Sequence, residues 1–231
     1  MWRVFPSTSQ TLLREAISPS PLQTPALNTV MGIYWRPCYR YLKLRFGASH
    51  EHSEDLVQGF FAALIEQSIL SRYDANRGPF RPYLRSCLDQ FVLKEFERQR
   101  AVKRGQGFRL MPLDPTLAVP SLDATPEEIF RREWQREMFE LAVEDLRQLC
   151  QATDRRVRYE LFAAYDLAGE PRARYHELAA VHGLPVTTVT NHLAWARREL
   201  RRLLQDRLCS TVPRERDRRN EMRSLLAGRG T

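Results

Sequence analysis

The chain has 231 residues, enough for two small domains that each bury a core. Its 36 Lys and Arg outweigh 28 Asp and Glu, giving a formal net charge of +8 and a pI near 9.7, a balance that favours a polyanionic partner. Four scattered cysteines (Cys38, Cys87, Cys150, Cys209) form no C-x-x-C pair, which argues against a disulfide framework and a zinc site and fits a reducing cytosol.

No apolar run is long enough for a bilayer, and MWRVFPSTSQ at the start lacks a signal-peptide core. A cytoplasmic protein with no membrane partner is the expectation. In chain order, residues 1–27 read as an extension: Thr8–Ile17 suits a short helix, and Pro19, Pro21 and Pro25 break the stretch after it. From Asn28 a helical pattern runs through Tyr34, Tyr41, Leu42 and Phe46, with Pro37 predicting a kink or restart and Gly47 a stop. The next helix is predicted from an N-cap at Ser53, with Leu56, Val57, Phe60, Phe61, Leu64 and Ile65 facing inward. SRYDANRGP (71–79) is loop chemistry. Phe80 to about Arg100 is helical again, with Leu84, Leu88, Phe91, Val92 and Phe96 inside.

Residues 105–125, with Gly105, Gly107, Pro112, Pro115 and Pro120, read as a flexible linker. Thr125-Pro126-Glu127-Glu128 opens a new helix: hydroxyl N-cap, proline at the first position, acids in the first turn. It runs to about Leu149. Another covers roughly 153–167, with Val157, Leu161, Phe162 and Tyr165 inward. A short charged helix is expected past Pro213, up to Leu226. No convincing strand is present. The predicted fold is therefore all-α, two small helical domains at 28–104 and 126–208, followed by a basic tail at 209–231.

Residues 174–207 carry the plainest motif. Leu178 and Ala179 support, Gly183 turns, Leu184 plugs, and Pro185 presets a second helix with Val189, Leu193, Ala196 and Leu200 inward. That is helix-turn-helix spacing. Thr187, Thr188, Thr190, Asn191, Trp195 and Arg198 are left on the outer face as candidate DNA contacts, short polar groups for base edges and arginine for phosphate or guanine. The alternative is an ordinary helical hairpin with a solvated face. The charge is clustered to match: Lys94, Arg98, Arg100, Lys103, Arg104 and Arg109 form one group, and Arg197, Arg198, Arg201, Arg202 and Arg207 another.

Between Glu54 and Arg104 the chain reads EDLVQGFF, then RYDANRGPFRPYL, then FVLKEFERQRAVKRG. Here the sequence resembles bacterial RNA polymerase sigma factors of the extracytoplasmic-function type, over about residues 28–207. In that family a D-A-E-D-L-V-Q helix binds the polymerase clamp, an R-G-x-F-x-x-[WY]-L segment melts and captures the promoter, and a helix-turn-helix reads the upstream element. The resemblance implies core RNA polymerase and promoter DNA as partners. It implies Glu51, Glu54, Asp55, Gln58 and Phe61 as the polymerase-binding set, His52 standing where the family has its first aspartate. For promoter melting it implies Tyr73, Asn76, Arg77 and Arg81 in and after the loop, followed by the phosphate-binding Lys94, Arg98, Arg100, Lys103 and Arg104. Tyr73 and Phe80 either hold an unstacked base or pack in the core, and Phe80 and Tyr83 favour packing. Ser53 is either an N-cap or, with Ser49, a phosphate acceptor for a kinase regulator that would supply the missing negative charge. An inhibitory partner is the other regulator the family suggests.

His50 and His52 alternate without a second ligand pair, so no metal is expected, and no cofactor loop or catalytic constellation is visible. The protein is expected not to be an enzyme. Three functions compete: a promoter-specificity subunit, a stand-alone helix-turn-helix regulator, and a helical adaptor without DNA contact. EDLVQ and the R-G-x-F segment favour the first.

Overall fold

The computed structural model describes residues 9–66, 68–74, 76–105, 124–169, 173–212 and 215–227. The architecture is all-α: among the described residues there are nine α-helices and no strand. They are α1 (Ser9–Ile17), α2 (Gln23–Phe46), α3 (His50–Glu66), α4 (Phe80–Gly105), α5 (Pro126–Ala152), α6 (Arg156–Phe162), α7 (Tyr175–His182), α8 (Val186–Thr211) and α9 (Glu215–Ala227). A 3₁₀ turn follows α3 at Ile69–Arg72, and a π-helical turn follows α6 at Ala163–Leu167. No described helix is long and apolar enough to cross a membrane. Most of the segment read as a linker, 106–123, lies outside the described residues.

Contacts divide the chain into two compact units, Ser9–Glu137 and the residues from Met138 onward, so the division falls within α5.

The first unit is built on α2, which begins at Gln23 rather than Asn28. Pro25 does not break it, because in the first helical turn a missing N–H leaves no hydrogen bond unmade. The helix also continues through Pro37, which is buried, with no restart. Gly47 ends it in the left-handed conformation (φ 60°), its N–H bonded to the Lys43 carbonyl at 3.1 Å. Leu13 and Ala16 of α1 are buried, and α1 packs on α2, so the N-terminal segment belongs to this unit.

α3 starts four residues earlier than expected. Ser49 is the residue that caps it, accepting the His52 N–H on its hydroxyl at 3.3 Å. Ser53 lies inside the helix, fully buried, and donates its hydroxyl back to the Ser49 carbonyl at 2.7 Å. The apolar stripe is buried at Leu56, Val57, Phe60, Phe61 and Leu64, but Ile65 is exposed. From α4, Leu84, Leu88 and Val92 meet the same core, and the first part of α5 adds Ile129, Phe130 and Trp134. Each large side chain removed from water in this way contributes about 1.5–3 kcal/mol. One polar knot lies among them: the Tyr41 hydroxyl donates to Asp89 at 2.8 Å, and Arg85 donates to the other oxygen at 2.5 Å. Burial pushes the Asp89 carboxyl up, against the pull of Tyr41 and Arg85.

The start of α5 is as the sequence predicts. Thr125 and Glu128 form a reciprocal capping box: the Glu128 N–H donates to the Thr125 hydroxyl at 3.3 Å, and the Thr125 N–H donates to the Glu128 carboxylate at 2.8 Å. The Glu128 carboxyl is held below its ordinary value by that backbone bond first.

In the second unit the core comprises Met138, Ala142, Leu146 and Cys150 of α5, Leu161 and Phe162 of α6, and Val189, Leu193, Ala196, Leu200 and Leu204 of α8. Val157, expected inside, is exposed, and Tyr165 is half-buried against Tyr175 at 4.8 Å. α9 packs on α8 and buries Leu225.

Candidate nucleic-acid interface

α7 and α8 meet at a tight turn that the sequence dictates residue by residue. Gly183 takes φ 62°, a conformation that favours glycine. The Leu184 N–H bonds back to the Ala179 carbonyl at 2.9 Å and the Gly183 N–H to Ala180 at 3.4 Å, closing the C-terminus of α7. Pro185 is extended (φ −61°, ψ 144°), and its carbonyl accepts the Thr188 and Val189 N–H groups, starting α8. Val189, Leu193 and Ala196 are fully buried beneath this first half of α8.

That leaves Thr187, Thr190, Asn191 and Arg198 exposed on the outside, with Thr188 half-buried at the edge. The Thr190 hydroxyl donates to the Val186 carbonyl at 3.0 Å, so toward a partner it offers an acceptor. Trp195 departs from the expectation of a free outer-face residue. Its ring is half-buried, and two guanidinium groups from the start of α6 lie over it, Arg155 at 5.4 Å and Arg158 at 4.6 Å from the centroid. The run DRRVR at 154–158 is the sequence signal for these arginines, but its partner lies some forty residues away in sequence.

The second basic cluster separates into two kinds of arginine. Arg197 makes two bonds of 2.9 Å to Asp166 in the π-helical turn. Arg207 pairs with Asp145 at 2.5 and 2.7 Å, and Arg202 with Glu199 and Asp206. These three are structural. Arg155, Arg156, Arg158 and Arg198 have no carboxylate at ion-pair distance among the described residues.

In the first unit, Glu51, Glu54, Asp55 and Gln58 are exposed on α3, with the buried Leu56 and Val57 behind them. Phe61 is not part of that surface. It is 1% exposed and stacks on Trp35 at 5.4 Å, because it falls on the core side of the helical stripe. His52 stacks on Phe96 while His50 bonds Tyr39 at 2.8 Å, so the two imidazoles turn to different partners. Ser49 is exposed, whereas the buried Ser53 hydroxyl is closed to a modifying enzyme.

In the loop, Asp74 accepts the Asn76 N–H at 2.9 Å, and its backbone carbonyl accepts the Arg77 N–H at 3.1 Å. Asn76 and Arg77 project from this turn, the Arg77 side chain 90% exposed and 3.8 Å from the Asp74 carboxylate. Tyr73 is half-buried, edge-on to Phe80 at 5.2 Å, with its hydroxyl donating to the Gly78 carbonyl at 3.0 Å. Phe80 is buried, and the Tyr83 hydroxyl donates to Ile69 at 2.6 Å, its pKa pushed up to about 12 chiefly by burial. The aromatic residues of this region thus hold the loop's shape.

Arg81 is a correction: its guanidinium lies 3.8 Å from the centroid of the Trp134 ring, which is fully buried, and its Nη1 is enclosed as well, so burial rather than the ring contact turns it away from phosphate. Lys94 and Arg100 are exposed on α4. Arg98 is exposed as well and forms a two-bond pair with Glu95 at 2.8 and 3.0 Å. Lys103 and Arg104 fall in the last turn of α4, and their side chains, like Arg109, lie outside the described residues.

In α9, Arg218 donates to the Val212 carbonyl at 3.2 Å, Arg219 pairs with Glu215, and Arg223 bonds Asn220 at 2.6 Å.

No family model, curated protein or solved structure matches the chain.

Proposed function

We propose that this protein is a promoter-specificity subunit of bacterial RNA polymerase. The acidic face of α3 binds core polymerase, the loop before α4 engages the opened strand, and α7–α8 act as a helix-turn-helix on the upstream element. The observation that carries this reading is the arrangement of EDLVQ. Glu54, Asp55 and Gln58 are exposed while Leu56 and Val57 are fully inside, so the motif offers an acidic partner-binding face without cost to the core.

Three further features support it. The exposed Thr187, Asn191 and Arg198 follow a rigid turn on a helix whose other side is buried. Asn76 and Arg77 project from a loop shaped by Tyr73, Phe80 and Tyr83. Lys94 and Arg100 supply exposed cations on the helix after that loop. The polymerase contacts are Glu51, Glu54, Asp55 and Gln58, without Phe61. The melting contacts are Asn76, Arg77, Lys94, Arg98 and Arg100, without Arg81.

The test is transcription by purified core polymerase from a library of duplex promoters, with and without this protein. Selective transcripts that depend on it are expected. Tight binding to duplex DNA with no effect on core polymerase would instead identify a stand-alone regulator.

A further inference from the structure

We propose that Arg155 and Arg158, seated on the Trp195 ring, form with Arg156 a clamp for a backbone phosphate of duplex DNA beside α8. Trp195 is then the platform of the clamp and does not read a base. The inference rests on the reading of α8 as a DNA-facing helix and adds to it a contact from outside the turn motif.

Charge pairing is the first argument. The second unit ties several of its arginines to carboxylates: Arg147 to Glu144, Arg197 to Asp166, Arg202 to Glu199 and Asp206, Arg207 to Asp145. Arg155, Arg156 and Arg158 form no such pair among the described residues, although they are neighbours in sequence. Two of them share one indole. Two like charges held over a single ring repel each other, and an anion bridging them relieves that repulsion.

The second argument is geometry. Trp195 lies one turn after Asn191 and one turn before Arg198 on α8, at the flank of the exposed face. A guanidinium held over an aromatic face by cation–π attraction uses none of its N–H donors in that contact, and those donors suit bidentate phosphate binding. Arg156 is exposed beside the pair. The field of this cluster is already felt by His192, one turn before Trp195: its pKa is lowered by burial first and by the Arg158 charge second.

The test uses the full chain and a labelled duplex of mixed sequence, with binding followed by fluorescence anisotropy over a salt series. Log affinity falls with log salt by about 0.9 for each phosphate neutralised. The Arg155→Ala/Arg158→Ala variant is therefore expected to flatten the slope by about 0.9, for the one phosphate the two arginines share, with a similar loss of affinity on every duplex. Arg155→Lys/Arg158→Lys should recover most of the slope, and amide exchange on α6 and α8 verifies that each variant is folded. Trp195→Phe, which keeps a ring under the arginines, should bind with wild-type sequence preference.

An unchanged slope in the alanine variant would overturn the clamp while leaving the proposed function standing. So would an altered base preference in Trp195→Phe. A wild-type chain with no salt-dependent DNA binding would overturn both. Co-elution of the variants with core polymerase, expected to be unaffected, separates loss of the clamp from loss of the polymerase contact.

Discussion

Arg197 and Arg198 are adjacent, chemically identical and both on α8, yet they should respond to truncation in opposite ways. Arg197→Ala removes two charge-assisted bonds of 2.9 Å to Asp166 and leaves that carboxylate, 23% exposed, without its partner. A well-buried pair of this kind is worth about 1.5–3 kcal/mol and an exposed one about 0.2–1. With Arg197 35% exposed, solvent screening places the cost in between, at about 1–2 kcal/mol. That is a loss of about 5–30-fold in the folded-to-unfolded ratio of this unit. Arg198 is exposed with no carboxylate partner among the described residues, so Arg198→Ala should change stability by less than about 0.5 kcal/mol. It should instead weaken DNA binding and flatten the salt slope by about 1. Amide exchange of the α8 core reads the first quantity and anisotropy with duplex DNA the second. If Arg197→Ala left exchange unchanged but removed DNA affinity, the division of these arginines into structural and binding groups would be wrong.

Gly183→Ala meets no neighbouring atom, so its cost is backbone strain alone at φ 62°, about 1 kcal/mol, readable as earlier urea unfolding of the second unit. Phe61→Ala removes a fully buried ring and its stack on Trp35, and should cost about 3–5 kcal/mol in thermal or urea unfolding; a change near zero would return Phe61 to the surface. The Glu144 carboxyl is pulled down to about 2, first by its bond to Arg147 and then by Gln148. Its folded value lies below the unfolded one, so the pair's stabilisation is complete above about pH 4.5 and is lost as pH falls toward 2. Carboxyl titration by nuclear magnetic resonance checks this, and an ordinary midpoint near 4.5 would count against the pair.

Sequence signals are dependable where the physics is local. TPEE at 125–128 encodes its own cap, and Gly183-Leu184-Pro185 encodes its own turn, so α5 and the α7–α8 corner are legible. Proline is a weaker signal: Pro25 in a first turn and Pro37 within α2 do not end the helix that contains them. Ser53 reads as the cap in sequence, but the helix starts earlier and Ser49 caps it, leaving Ser53 inside the helix. The buried stripe of α3 stops short of Ile65, and that of α6 begins one turn after Val157.

The features that depend on distant partners are not legible. Charge clustering in sequence does not separate Arg197 from Arg198, because Asp166 and Asp145 reach their arginines only in the folded chain. Arg81 and Trp195 escape sequence reasoning for the same reason, since their partners Trp134, Arg155 and Arg158 are distant in sequence.

The acidic face of α3 is the feature that separates a polymerase subunit from a free-standing DNA reader. Its most direct test is the equilibrium affinity of the full chain for purified core RNA polymerase, measured beside Asp55→Arg. Asp55 is exposed, so the variant should fold as the wild type does. The account predicts a stable wild-type complex and its loss on charge reversal. A wild-type chain that fails to bind core polymerase, or an Asp55→Arg variant that binds equally well, would contradict it.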